Sequence, residues 1–238
     1  MKDILDVHMH TVSSGHAYST LREMTQAASQ KGLELIGITE HAPQMPGTCH
    51  ELYFHNFKVI NRAAYEVPLL VGTELNIMNY QGAVDLKDHV LEKLDYAIAS
   101  LHDPCIRPGT IAENTSAVIG AMKNPHIKII GHPENGKYPL DYEAVVKAAK
   151  EYQVLLEINN SSYHPLSARK GSRENAPIML GLCKKYGVSV IMNSDAHIDL
   201  DVGNHVFAQE ILVETKFPEE LIVNSDVEKF KYFLNLNR

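Results

Sequence analysis

Residues of metal-ligand type stand at recurrent places in this chain. His8, His10, His41, Glu74, His102, His132, Asp195 and His197 each lie at or just past the downstream end of a short apolar, β-branched run. A parallel barrel produces that rule, because its strand carboxyl ends converge on one face and that face carries the functional site. An open doubly wound sheet would spread the strand ends along a line. It would leave His8 and His10 far from Asp195 and His197.

The apolar runs read as buried parallel strands over Ile4–Val7, Leu35–Thr39, Leu69–Thr73, Tyr96–Ser100, Ile127–Gly131, Val154–Ile158 and Val188–Asn193. Their end markers, at positions 8, 41, 74, 102, 132, 159 and 195, are separated by 33, 33, 28, 30, 27 and 36 residues. A βαβ unit needs roughly 30 residues, so the rhythm predicts repeated right-handed crossovers in one domain spanning 1–238. Helix signals fall between the runs: a capping box at Thr20–Glu23, a stop at Lys31-Gly32 and a cap at Asp141. The residues after Ser172 give another helix, ending near Tyr186-Gly187. A second capping box, Ser225–Glu228, predicts a last helix over about 225–236, packed on the outside or bottom of the barrel.

Composition narrows the function classes. The net charge is −7, which argues against a nucleic-acid or anionic-membrane surface, both of which need a basic footprint. Cys49, Cys105 and Cys183 are odd in number and widely spaced, so they read as reduced thiols of a cytoplasmic protein. No apolar run approaches the ~20 residues that span a bilayer, and ligands beginning at His8 leave no room for a removable signal.

Alternation along a strand sends His8 and His10 to the same side, where both imidazoles can meet one ion. Seven histidines, His16 in the following loop included, and two acids crowded at one barrel mouth would be costly without a cation. A zinc-type catalytic site uses about three protein ligands, so nine candidates with one bridging carboxylate can serve three ions. Multinuclear sites of this kind supply a hydroxide near neutral pH and hold the oxygens of an in-line displacement, which fits a phosphate ester.

The strings Asp6-Val7-His8-Met9-His10-Thr11, Ile38-Thr39-Glu40-His41, Gly72-Thr73-Glu74 and Asn193-Ser194-Asp195-Ala196-His197 resemble the PHP (polymerase and histidinol phosphatase) superfamily. The match is closer still to its YcdX-type phosphatases. It extends through His16–Leu21, Asn79–Gly82, Glu157–Ser162 and Arg169–Ser172. The resemblance implies a distorted (β/α)7 barrel with a trinuclear site. It assigns His8, His10, Glu74 and Asp195 to one ion and Glu74, His102 and His132 to a second. His16, His41 and His197 go to a third. Zinc is the expected metal, with Mn or Fe as alternatives. Glu40 stands where the family usually has Asp. It is outside the nine, so only the support geometry departs.

The function implied is hydrolysis of small phosphomonoesters by a metal-bridging hydroxide, with Glu74, Asp195 and His197 as catalytic residues. The sixth strand lacks a family ligand, and Arg169 and Lys170 in its loop are the expected phosphate contacts. His164 and His205 are candidate substrate contacts, while His89 and His126 belong to solvent. His50 and His55 fall in a segment, with Tyr53, Phe54 and Phe57, that is either a lid or a helix start. Competing readings are a histidinol-phosphate phosphatase, an amidohydrolase-type enzyme, a polymerase accessory module and a metal-binding module without turnover. The oligomeric state is left open, a homo-oligomer included.

Overall fold

The computed structural model describes residues 2–234. Its strands are β1 (Leu5–Asp6), β2 (Leu35–His41), β3 (Leu69–Asn76), β4 (Tyr96–Ser100), β5 (Ile127–Ile130), β6 (Leu155–Asn159) and β7 (Val190–Asn193). The helices are α1 (Leu21–Gln30), α2 (Glu51–His55), α3 (Asp88–Leu91), α4 (Ile111–Met122), α5 (Tyr142–Tyr152), α6 (Ser172–Tyr186), α7 (Val206–Glu214) and α8 (Val227–Leu234). One helix follows each of the first six strands, and two follow β7. The strands form one seven-stranded sheet in sequence order, each parallel to the next. This is the distorted (β/α)7 barrel, and the open-sheet alternative is excluded. No helix among the described residues is long and apolar enough to cross a membrane.

Every residue of β2 and β3 is buried, which explains why these strands read as near-continuous apolar runs. Both continue past their apolar stretch to His41 and Asn76, because Glu40, Glu74 and Asn76 find polar partners inside. The signals at Thr20 and Asp141 act as expected, and α6 stops at Gly187 with φ +66°. The box expected at Ser225–Glu228 does not form. Asp226 caps α8 instead, accepting from the Glu228 and Lys229 amides at 2.9 and 3.2 Å. Residues 235 and 236 of that expected helix lie outside the described residues.

The lumen below the mouth is packed by inward residues including Leu5, Leu35, Leu70, Ile98, Ile129, Leu155 and Ile191. Phe230 and Leu234 of α8 join this cluster and close the bottom. The Tyr96 side chain runs beside Gly37, and its hydroxyl donates to the Val7 carbonyl. A Cβ on Gly37 would stand 2.0 Å from that hydroxyl oxygen, so only glycine fits there.

The seam between β7 and β1 is closed differently from the other joints. Near the mouth the His10 amide donates to the Ala196 carbonyl at 2.9 Å, and the Val7 amide to Asn193 Oδ1 at 3.0 Å. Farther down, Asn224 fills the gap: it accepts from the Met192 amide at 2.8 Å and donates to the carbonyls of Met192 and Leu5. The Ile4 amide in turn donates to the Asn224 carbonyl at 3.0 Å. The tail therefore supplies hydrogen bonds that a paired eighth strand would otherwise provide.

Candidate metal centre and active site

Glu74, wholly buried at the mouth, organises the site by splitting its two oxygens. Oε2 lies 2.8 Å from His41 Nδ1, 3.3 Å from His8 Nε2 and 3.4 Å from His10 Nε2. Oε1 lies 3.1 Å from His102 Nε2 and 3.2 Å from His132 Nε2, and accepts from Ser100 Oγ at 2.7 Å. Asp195 Oδ1 is 3.3 Å from His10 Nε2 and 3.6 Å from His8 Nε2. His16 and His197 bring their Nε2 atoms to 3.0 Å from each other. The nine residues singled out in the sequence thus stand on one face.

Their ring nitrogens are aimed by partners behind them. His8 Nδ1 donates to Glu157 Oε1 at 2.7 Å, and His102 Nδ1 to Asn76 Oδ1 at 2.7 Å. Asn76 is held in turn by Asp85, which accepts from its side-chain amide at 2.7 Å. His197 Nδ1 meets the Asp195 carbonyl at 2.9 Å. His10 Nδ1 is 3.1 Å from Ser14 Oγ, whose proton goes to Glu40 Oε2 at 2.6 Å, so the imidazole is the donor. In all four Nδ1 is anchored from behind, which turns Nε2 into the mouth as the atom a metal ligand presents. The Glu40 substitution therefore keeps a carboxylate behind His10.

The unpaired atoms test whether the site suits a cation. Buried atoms without a hydrogen-bond partner include His8 Nε2, His10 Nε2, His41 Nδ1, Glu74 Oε2 and Asp195 Oδ1. These five belong to one cluster, where orphaned polar atoms are expensive unless an ion satisfies them. Three overlapping sets, His8/His10/Glu74, His41/Glu74/His102 and His10/His41/His197, each place their ligand atoms within 4.8 Å of one another. The residues fit divalent metal.

Protonation agrees. Burial opposes charge on Glu74, but His102, His8 and His41 outweigh it and hold the carboxyl well below its usual range. Asp195 behaves likewise, with His8 and Arg169 overcoming burial. Burial pushes His10 well down and His132 down to about 4, with help from His41 and from Arg169 respectively. Ionised carboxylates and neutral imidazoles are the forms that bind metal. Burial also lowers His8, but Glu157, Glu74 and Asp195 reverse the balance and hold it well above normal.

Two of these residues carry backbone strain. His132 has φ +34° and Asp195 φ +55°, a region unfavourable for residues with a Cβ and costing about 1–3 kcal/mol. The chain turns sharply at both strand ends, which aims the side chains inward.

Arg169 lies at the edge of the cluster. Its Nη2 meets Asp195 Oδ2 at 2.9 Å and its Nη1 meets Asn159 Oδ1 at 3.2 Å. Lys170 is exposed and its side chain contacts none of the cluster. Arg173 turns away to Glu214 on α7, at 2.7 Å. His205 is not a substrate contact: it is buried at the seam, 2.7 Å from Asp3 Oδ2. His164 is exposed beside Phe207. His50 caps α2, and Phe54 and Phe57 pack into the core, so the segment starts a helix. Sequence reasoning assigned no role to Glu157. Its signal was present, since a carboxylate inside the run Leu155-Leu156-Glu157-Ile158 must be buried and therefore partnered.

A parallel barrel whose mouth gathers imidazoles and carboxylates around orphaned ligand atoms defines a hydrolase with a site fit to bind metal. A family model for the PHP domain matches residues 6–167, and the chain belongs to that family. A curated relative from Clostridium novyi, named "Probable phosphatase", is 49% identical over 98% of this chain and 95% of its own length. Another of that name, from Caldicellulosiruptor saccharolyticus, is also 49% identical, over 98% of this chain and 96% of its own. The protein is a phosphatase of the PHP family. Among solved structures, the histidinol phosphate phosphatase of Lactococcus lactis, complexed with zinc, L-histidinol and phosphate, superposes with a TM-score of 0.62. The two are 16% identical, over 91% of this chain and 95% of that one. That likeness speaks for the fold.

Proposed function

We propose that the chain hydrolyses small phosphomonoesters at a trinuclear metal centre. The carrying observation is the convergence of three orphaned imidazole nitrogens, of His8, His10 and His41, on the orphaned oxygens of Glu74 and Asp195. His8, His10, Glu74 and Asp195 hold one ion; Glu74, His102 and His132 hold the second; His16, His41 and His197 hold the third. The division of Glu74 between two sets of imidazoles supports its bridging role. Zinc suits this donor set, with Mn or Fe as alternatives. Bound divalent ions supply Lewis acidity toward water and toward the phosphate oxygens.

The protein's own groups do the rest. Glu74 and Asp195 remain ionised and balance the cations. Asn159 and Arg169 fix Asp195 through its outer oxygen, which leaves Oδ1 turned toward His8 and His10. Arg169 has guanidinium N–H groups to spare, and they bind the substrate phosphate, with Lys170 adding charge from the solvent side. His197, held through its Nδ1, keeps its ring beside the reacting phosphate. A cytoplasmic location accords with three cysteines that form no disulfide.

The test is purification without chelators, metal quantification and a panel of phosphomonoesters that includes histidinol phosphate, with an amide as control. We expect about three ions at the mouth of each chain, and His10→Ala to lose both mouth metal and activity. Full metal content with no turnover of any phosphomonoester would refute the reading. Arg169→Ala separates two roles. A fall in kcat/KM at unchanged metal content marks phosphate contact, whereas parallel loss of metal marks positioning of Asp195 alone.

A further inference from the structure

Away from the mouth, one other group of imidazole and carboxylate side chains among the described residues comes within reach of a single ion. Glu51 and His55 stand one turn apart on α2, and His89 faces them from α3. Glu51 Oε1 is 3.4 Å from His55 Nε2 and 3.8 Å from His89 Nε2. All three ligand atoms lie within 4.8 Å of one another. A tetrahedral ion bound at roughly 2.0–2.1 Å keeps its ligand atoms about 3.4 Å apart, so the triangle needs only slight contraction. The two rings stack with centroids 5.7 Å apart and 28° between planes.

The scaffold beneath them is fixed. Phe54 and Phe57 anchor the α2 segment in the core, and Val90 and Leu91 anchor α3. The three ligands therefore project from segments that are each anchored in the core. None of them belongs to the mouth.

We propose that Glu51, His55 and His89 form a peripheral transition-metal site of the zinc class, with a fourth position open to water. Two imidazoles and one carboxylate are a donor set zinc accepts. The ion would staple α2 to α3, joining the second and third βα units outside the barrel. Lys93 is its competitor. The Lys93 ammonium donates to His55 Nδ1 at 3.1 Å, which keeps the imidazole proton on Nε2, where the ion must bind. Metal entry moves that proton to Nδ1 and turns the flexible lysine out to solvent.

The experiment is a calorimetric zinc titration of the full chain, purified without chelators, beside His89→Gln. His89 is exposed and stands away from the mouth, so the variant is expected to fold and to keep its phosphatase activity. We expect the wild type to bind one equivalent more than the variant, whatever number the mouth itself holds. Equal stoichiometry overturns the site without touching the proposed catalytic centre. Lys93→Met then reads the competition: the outer equivalent should bind severalfold more tightly. Unchanged or weaker binding overturns His55 Nε2 as the ligand atom.

Discussion

Glu157 shows how much one residue of this mouth is asked to do. Its carboxylate accepts from His8 Nδ1 at 2.7 Å, the His132 amide at 2.8 Å, Asn193 Nδ2 at 2.8 Å and Asn159 Nδ2 at 3.0 Å. It thus ties β6 to β1, β5 and β7 while setting the tautomer of His8. Burial disfavours its charge, but His8 outweighs burial and keeps the carboxyl low. Glu157→Gln removes that charge and offers His8 a neutral partner. Losses of about 10–100-fold in metal affinity follow from such changes, so metal retention against a chelator should fall and excess metal should restore activity. Unaltered retention would show that His8 is oriented by packing alone. At this scale the sequence marked the ligands, because their spacing follows strand ends. It did not say which histidine each supporting group serves, because Glu157 and Asn76 reach theirs across 149 and 26 residues of chain.

Elements were legible where a local rule governs them. Thr20 and Asp141 cap the helices they announce, since a side chain and an amide two or three residues on meet whatever the rest of the chain does. The same rule at Thr110 and Glu113 caps α4, where Thr110 Oγ1 and the Glu113 carboxylate bond back reciprocally. Thr110→Ala should cost about 0.5–2 kcal/mol in urea unfolding and leave kcat untouched, since the cap lies outside the mouth. A loss of activity in step with stability would mean that α4 sets the site. The tail is the counterexample. Ser225 and Glu228 have capping-box spacing, yet Asn224 is drawn into the seam, Ser225 ends a short 3-10 turn and Asp226 takes the cap. Tertiary hydrogen bonding overrode local preference there.

The whole barrel is closed by groups that are distant in sequence. Asp6 accepts from the Gly203 amide at 2.8 Å and the Ser194 amide at 3.1 Å, and with Asp3 it encloses His205. Burial opposes charge on His205, but Asp3 and Asp6 raise its pKa to about 9 from 6.5. The folded state thus favours the protonated form. Its contribution to stability is complete below about pH 6.5 and is lost as pH rises through about 9. Melting temperature followed from about pH 6 to 10 should fall over that window, and the fall should be smaller in His205→Gln. Equal slopes in the two proteins would assign the loss to other groups.

The sequence by itself determined the seven βα units, the residues at their strand ends and the bias toward metal chemistry, because each depends on periodicity and spacing that the chain carries locally. Only the tertiary structure decided how the ring is closed and how the ligands are aimed. Closing β7 on β1 needed Asn224 and a bottom plug of Phe230 and Leu234, while aiming needed carboxylates and amides from other strands. Those contacts join residues far apart in the chain, and no local pattern encodes a partner that folding alone brings near.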